Sequence, residues 1–390
     1  MLLSLLLAVL PQGSITGRIE IHPPAIKARL NYDYVAMDDV KSIDLLINKS
    51  FDVRKAACPV CGKFQVDRSD DPATLHIELV KPVAKGAHVA LTIEYSGAIA
   101  KSADFFELGL DDFWYPAHPH IGEVEFTYAI DLVTNDEDIV TNGVAKKTRR
   151  GWRITSRVPD LDMDVVLSRR FDRERDGEIE IVTKNAPPKV PKQLAADIRR
   201  VLEFYNATFG ASSPQHAVTG VFRPTATRDE GGYFRKGYFL LPLVTNAAAA
   251  LPNIAHELAH HWWIHANQQN AWLNESFAEY SAMMAIRKLR GQAAFDAIVN
   301  EKKERVAAMK LPPIYGFDRT KDRRSTPPLF YAKGPLVLNA LEREIGETKF
   351  LRLLKRAVDE RVVTTDAFVA LVAADVSQPA ADDFLRRLKE

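Results

Sequence analysis

The chain has 390 residues, enough for two to three domains at ~150 residues each and for a core that needs no staples. Lys and Arg total 52 against 51 Asp and Glu, a formal net charge of +1 with no long basic run, which argues against nucleic acid or an anionic membrane surface as the partner. The 46% hydrophobic and 26% charged fractions are ordinary for a globular protein; they exclude wholesale disorder and fibrous repeats and are silent on chemistry. The stretch from Leu2 to Leu10 is apolar but for Ser4, too short to span a bilayer and matched to the h-region of a secretory signal. Residues 1–14 therefore read as a candidate signal segment for a periplasmic or extracellular protein. A buried N-terminal strand in a cytoplasmic one is the alternative.

From residue 15 to 184 the pattern is mostly that of strands. Leu75, Ile77 and Leu79 alternate with polar residues, as do Val89, Leu91, Ile93 and Tyr95, and then Val124, Phe126, Tyr128 and Ile130. Asp71-Pro72, Lys85-Gly86, Ser96-Gly97 and Asn142-Gly143 supply the turns. Such runs predict antiparallel sheets packed as a sandwich or saddle, with Trp114 and Tyr115 in its packing. Cys58 and Cys61 form one C-P-V-C with no second pair to complete a four-thiolate zinc site, and read as a local loop, bonded if the chain is exported.

Three prolines in 185–191 mark a linker. Beyond it, from 192 to 390, the period becomes helical: Leu194, Ile198, Val201, Leu202 and Tyr205 share one face, and Gly210 reads as the C-cap. A short β run covers 238–244. Helices follow from Pro252 onward, including 335–345, 348–358 and 366–376, the last with Thr365 as N-cap.

The chemistry lies in His256-Glu257-Leu258-Ala259-His260. On a helix, residues four apart share a face, so both imidazoles can address one metal ion while Glu257 reaches a water as general base. Zinc suits such donors in a site that keeps one position open. Pro252 reads as a first-turn proline of this helix, and His261 and His265 as lying on it but off the ligand face. A second helix starting near Trp272 brings Glu275 back as a third ligand, with Glu279 one turn on to hold a ligand histidine's other nitrogen; a solvated helix charge is the alternative for Glu279.

His256-Glu-Leu-Ala-His260-His-Trp262, Trp272-Leu-Asn-Glu275-Ser-Phe-Ala278 and Tyr331-Ala-Lys-Gly334 together resemble the aminopeptidase N family of gluzincin zinc metallopeptidases. The resemblance implies an α+β chain, an N-terminal β saddle domain followed by a mainly helical thermolysin-like catalytic domain. It implies one zinc ion per chain, a peptide substrate, and Tyr331 as donor to the oxyanion. Three departures stand out. Only 14 residues separate His260 from Glu275, so a strict family count would select Glu279 as ligand, whereas the Trp-Leu-Asn-Glu context selects Glu275. The family's amine-binding motif is replaced by residues 227–233, where Glu230 is the one credible successor. The family's large C-terminal helical domain has no counterpart in the sequence. Peptide hydrolysis by an aminopeptidase is the reading; an endopeptidase or non-peptide hydrolase on the same scaffold, or a non-catalytic binding protein, are its competitors.

Overall fold

The computed structural model describes residues 12–224, 231–243 and 247–390, in two compact units that divide between Phe171 and Asp172. In the first unit, a seven-stranded sheet runs in the order 144–148, 151–155, 125–133, 12–22, 25–35, 88–98, 52–57. Two three-stranded sheets accompany it, one of 40–47, 73–83 and 61–67, the other of 138–141, 165–168 and 106–108. The alternation that predicts these strands is the alternation of their burial: Ala25–Val35 reads almost strictly exposed, buried, exposed. Pairing is antiparallel, as expected, with one exception among the described residues: Gln12–His22 lies parallel to Glu125–Val133, Gln12 opposite Glu125. Residues 12–14 of the candidate signal segment belong to that strand; 1–11 lie outside the described residues. Trp114 and Tyr115 are fully buried in this unit's core, their polar atoms bonded to Met163 O at 3.1 Å and Asp162 at 2.6 Å. Cys58 and Cys61 are joined by a disulfide.

The second unit opens with the hairpin 172–183, ahead of the proline-rich 185–191. Ile179–Thr183 pairs parallel with Val218–Arg223, and that strand parallel with Tyr238–Pro242, so the hairpin is part of this unit's five-stranded sheet. Val218–Arg223 is buried at all six positions, as a strand covered on both faces must be. Nine helices are found among the described residues: α1 Val190–Thr208, α2 Ala247–Ala259, α3 Trp272–Arg290, α4 Gln292–Ala307, α5 Thr326–Pro328, α6 Gly334–Ile345, α7 Glu347–Asp359, α8 Thr365–Asp375 and α9 Gln378–Lys389. The predicted face of α1 is the buried one. No helix among the described residues is long and apolar enough to cross a membrane.

Four local expectations are corrected. Helix α2 is already formed at Ala247, so Pro252 is an interior proline. The carbonyl four residues back, Ala248 O, loses its usual donor to the proline ring and accepts from the Arg290 guanidinium instead. Thr364, not Thr365, caps α8, its hydroxyl accepting from Ala367 N–H at 3.2 Å, while the Thr365 hydroxyl accepts from Trp272 Nε1 at 2.8 Å. Phe209, not Gly210, is the C-cap of α1; Gly210 follows it, its N–H bonded to Tyr205 O at 2.9 Å, and a Cβ there would stand 2.7 Å from the Trp262 indole ring. His261 and His265 both lie past the end of α2 rather than on it.

Candidate metal centre

Helix α2 is buried along most of its length, and Tyr205 of α1 donates to Ala255 O at 2.8 Å, immediately ahead of His256. Its end tightens into i→i−3 bonds, His260 N–H to Glu257 O and His261 N–H to Leu258 O, and this last narrow turn carries the second histidine. The Nε2 atoms of His256 and His260 end 3.2 Å apart. His261 turns away and meets Ser213 O at 3.1 Å.

The chain returns through a connection clasped by Asn274, whose amide bonds both the N–H and the C=O of Ala266, at 3.0 and 2.9 Å. Trp272 anchors the start of α3, and Glu275 in the first turn places Oε2 3.6 Å from both Nε2 atoms. These local bonds explain the Trp-Leu-Asn-Glu pattern: one residue anchors, one clasps the shortened connection and one delivers the carboxylate. Glu279, one turn on, sits behind the triangle with Oε2 2.9 Å from His256 Nδ1. The His260 Nδ1 is 2.8 Å from Trp263 O. Each Nδ1 thus faces an acceptor and carries a ring proton, so that a neutral ring presents its lone pair from Nε2.

Two Nε2 atoms and a carboxylate oxygen at 3.2–3.6 Å call for positive charge among them, a second proton on a ring or a metal ion. Donors ~2.0–2.2 Å from a tetrahedral ion stand ~3.3–3.6 Å apart, so the triangle has the size zinc requires. Among the described residues this is the one group of three such side chains whose ligand atoms lie within 4.8 Å of one another. Burial alone would depress His256, yet hydrogen bonds and charge from Glu275 and Glu279 lift it to about 10, a measure of how strongly the pocket favours positive charge. Burial would raise Glu275 and Glu279, but His256 and the neighbouring cations hold both at about 2. Glu257 behaves otherwise: burial, only partly offset by His256, pushes it up to about 7.

Tyr331 comes from a single turn of π-helix, 329–333, that leads into α6. Its hydroxyl donates to Glu275 Oε2 at 2.7 Å, and burial beside that carboxylate raises its pKa so that the phenol keeps its proton. The turn explains Tyr-x-Lys-Gly. Gly334 N–H reaches back five residues to Leu329 O, which frees Phe330 O to accept from Ser276 Oγ at 2.7 Å, and a Cβ on Gly334 would collide with that serine. Lys333 binds Pro312 O at 2.9 Å.

Glu230 lies outside the described residues, so its placement is not part of this geometry. Two residues on, Gly232 brings the backbone so near the general-base candidate that a Cβ would stand 2.8 Å from Glu257 Oε1. Sequence reasoning passed over this glycine, although a Gly-Gly pair ahead of a strand is a signal of close backbone approach. It also passed over Lys302 on α4, buried against Glu279 at 2.5 Å.

Residues 243–375 match the model of the peptidase family M1 domain. Among solved structures, the M1 zinc metallopeptidase of Deinococcus radiodurans, as a variant bound to a Tyr-Ser-Ala substrate, superposes with a TM-score of 0.72 at 16% identity over 97% of this chain and 94% of that one. A two-domain M1 zinc metallopeptidase variant bound to L-arginine gives 0.74 at 16% identity, over 98% and 94%. Native yeast LTA4 hydrolase gives 0.71 at 15% identity, over 97% of this chain and 67% of the hydrolase. No curated protein matches by sequence. Fold and domain together place this chain in the class of the metallopeptidases, with the fold that M1 zinc metallopeptidases share. More particularly, the chain carries a peptidase family M1 domain on the fold of the M1 enzymes, the family that its three motifs resemble.

Proposed function

We propose that the protein is an aminopeptidase that releases N-terminal residues from peptides, with one zinc ion held by His256, His260 and Glu275. The observation that carries the reading is the donor triangle itself, with the Tyr331 hydroxyl on its Glu275 corner and Glu257 near enough to act on the charge of His256. A zinc ion there supplies Lewis acidity, acidifying water and polarising a carbonyl. Glu257, buried next to His256, is the group to take a proton from water and return it to the leaving amine. Tyr331 keeps its proton and so remains a donor for negative charge that develops on the substrate oxygen. Glu279 and Trp263 O hold the two imidazoles by their Nδ1–H groups, which keeps both Nε2 atoms turned to the same point.

Exopeptidase action further requires a group for the substrate's free amine, and Glu230 is the candidate from sequence. The competing reading, internal cleavage, needs no such group. A panel of free and N-blocked peptides, including Tyr-Ser-Ala, assayed with and without chelator and read by product mass, separates the two. Chelator-sensitive release of N-terminal residues from free peptides, crippled by Glu230→Ala, is the expected result. Equal cleavage of blocked peptides would sink the aminopeptidase reading, and hydrolysis untouched by chelator would sink the metal. Export belongs to the same proposal: the apolar 2–10 stretch and the Cys58–Cys61 disulfide both suit an oxidising compartment.

A further inference from the structure

Helix α4 is mostly solvent-facing, with Phe295, Val299 and Lys302 its only buried residues. They recur at i, i+4 and i+7, so a lysine occupies the third position of an apolar stripe. An ammonium 9% exposed at such a position is costly unless its donors are paired. Two of them are: Nζ lies 2.5 Å from Glu279 Oε1 and 2.7 Å from the backbone carbonyl of Tyr331.

Both acceptors bear on the metal centre. The other oxygen of Glu279 holds His256 Nδ1. The Tyr331 carbonyl is the one that Pro335, four residues on, cannot serve, because proline has no N–H. The Tyr331 hydroxyl in turn reaches Glu275. One ammonium therefore ties together the carboxylate behind one histidine and the backbone under the oxyanion donor.

We infer that Lys302 is a positioning residue that fixes the spacing between the His256 imidazole and the Tyr331 hydroxyl, acting on metal affinity through Glu279 and on turnover through Tyr331. The inference rests on the zinc peptidase reading for its turnover arm only; the metal arm stands without it. The test uses the full-length zinc-loaded chain. Zinc affinity is measured by competition with a chromophoric chelator, and kcat and KM on a tripeptide.

Lys302→Met weakens zinc binding ~10- to 100-fold, the usual cost of losing an outer partner of a ligand. It lowers kcat with KM little changed. In a Glu279→Gln background the zinc effect of Lys302→Met shrinks, and in a Tyr331→Phe background its effect on kcat shrinks, because each partner has already been removed. Lys302→Arg, which keeps charge and donors, recovers part of both. A merely structural lysine would lower thermal stability and leave zinc affinity and kcat of the folded fraction at parental values, or give effects that add in full in both double variants; either result overturns the inference. Should Lys302→Met fail to fold, Lys302→Gln and Lys302→Arg carry the same comparison. An inactive parent would sink the peptidase reading while the zinc arm still decides the role of Lys302.

Discussion

His118 in the first unit and His256 and His260 in the second are equally buried, each 8% exposed, yet their surroundings drive them to different ends. His118 stacks on Tyr34 with ring centroids 4.9 Å apart. Its Nε2–H donates to Val35 O at 3.0 Å and its Nδ1 accepts from His120 N–H at 3.1 Å. Both ring nitrogens are spent on backbone, and burial pushes the imidazole down to about 4. His256 is pushed down by burial as well, but two carboxylates reverse the sign and lift it to about 10. His256 and His260 each spend Nδ1 on an outer partner and aim Nε2 at a shared point. Equal burial thus gives a neutral structural ring at His118 and a charge-favouring one at His256, where the partners are carboxylates instead of peptide groups; His260, whose Nδ1 also meets a peptide carbonyl, is pushed down by burial as His118 is and joins the site through Nε2.

Removing what sets the second region apart gives the largest effects. Glu257→Gln keeps the shape and the three metal donors while losing the base, so zinc content stays at one per chain and turnover falls on the order of 100- to 10,000-fold. Metal analysis beside a peptidase assay checks it, and parental turnover in that variant would end the proposed mechanism. Tyr331→Phe removes one hydroxyl from the edge of the triangle. Turnover is expected to fall ~100- to 1,000-fold with zinc and KM retained. Loss of zinc in that variant would instead mean that the bond to Glu275, at 2.7 Å, serves to hold the ligand.

Much of this was legible in the sequence because it rests on short-range pattern. Alternation at 89–95, the face of α1 and the i, i+4 histidines all follow from the period of a strand or a helix. In the Trp-Leu-Asn-Glu and Tyr-x-Lys-Gly stretches only the Asn274 clasp on Ala266 and the Gly334 turn onto Leu329 close locally; Trp272, Tyr331 and Lys333 find partners far along the chain, and those stretches were legible through the resemblance. What could not be read depends on residues distant in the chain. Pro252 looks like a helix start until Arg290 supplies a donor to Ala248 O. The hairpin 172–183 looks like the end of the β region until Val218–Arg223 pairs with it. Lys302 looks like any solvated lysine in a charged helix, since nothing nearby reveals that Glu279 and an orphaned carbonyl lie above it.

The smallest effect tests the first region, and it is one of pH. The folded-state pKa of His118 lies below its unfolded value, about 4 against about 6.5, so between those values the unfolded chain binds more protons than the folded one. Stability supplied by the neutral ring is therefore complete above about pH 6.5 and is lost as pH falls through about 4. Protonation would also put a proton on Nδ1, where the His120 N–H already points. In urea titrations, the parent is expected to lose on the order of 2 kcal/mol more stability than His118→Gln between pH 7 and pH 4. The metal centre is common to both proteins and drops out of the difference. Zinc content and turnover at pH 7 should be alike in the two, because this histidine shares its burial with the ligands and none of their carboxylates. Parallel stability curves would show that the ring stays neutral at no cost in acid, and that burial in the β unit is weaker than its 8% exposure suggests.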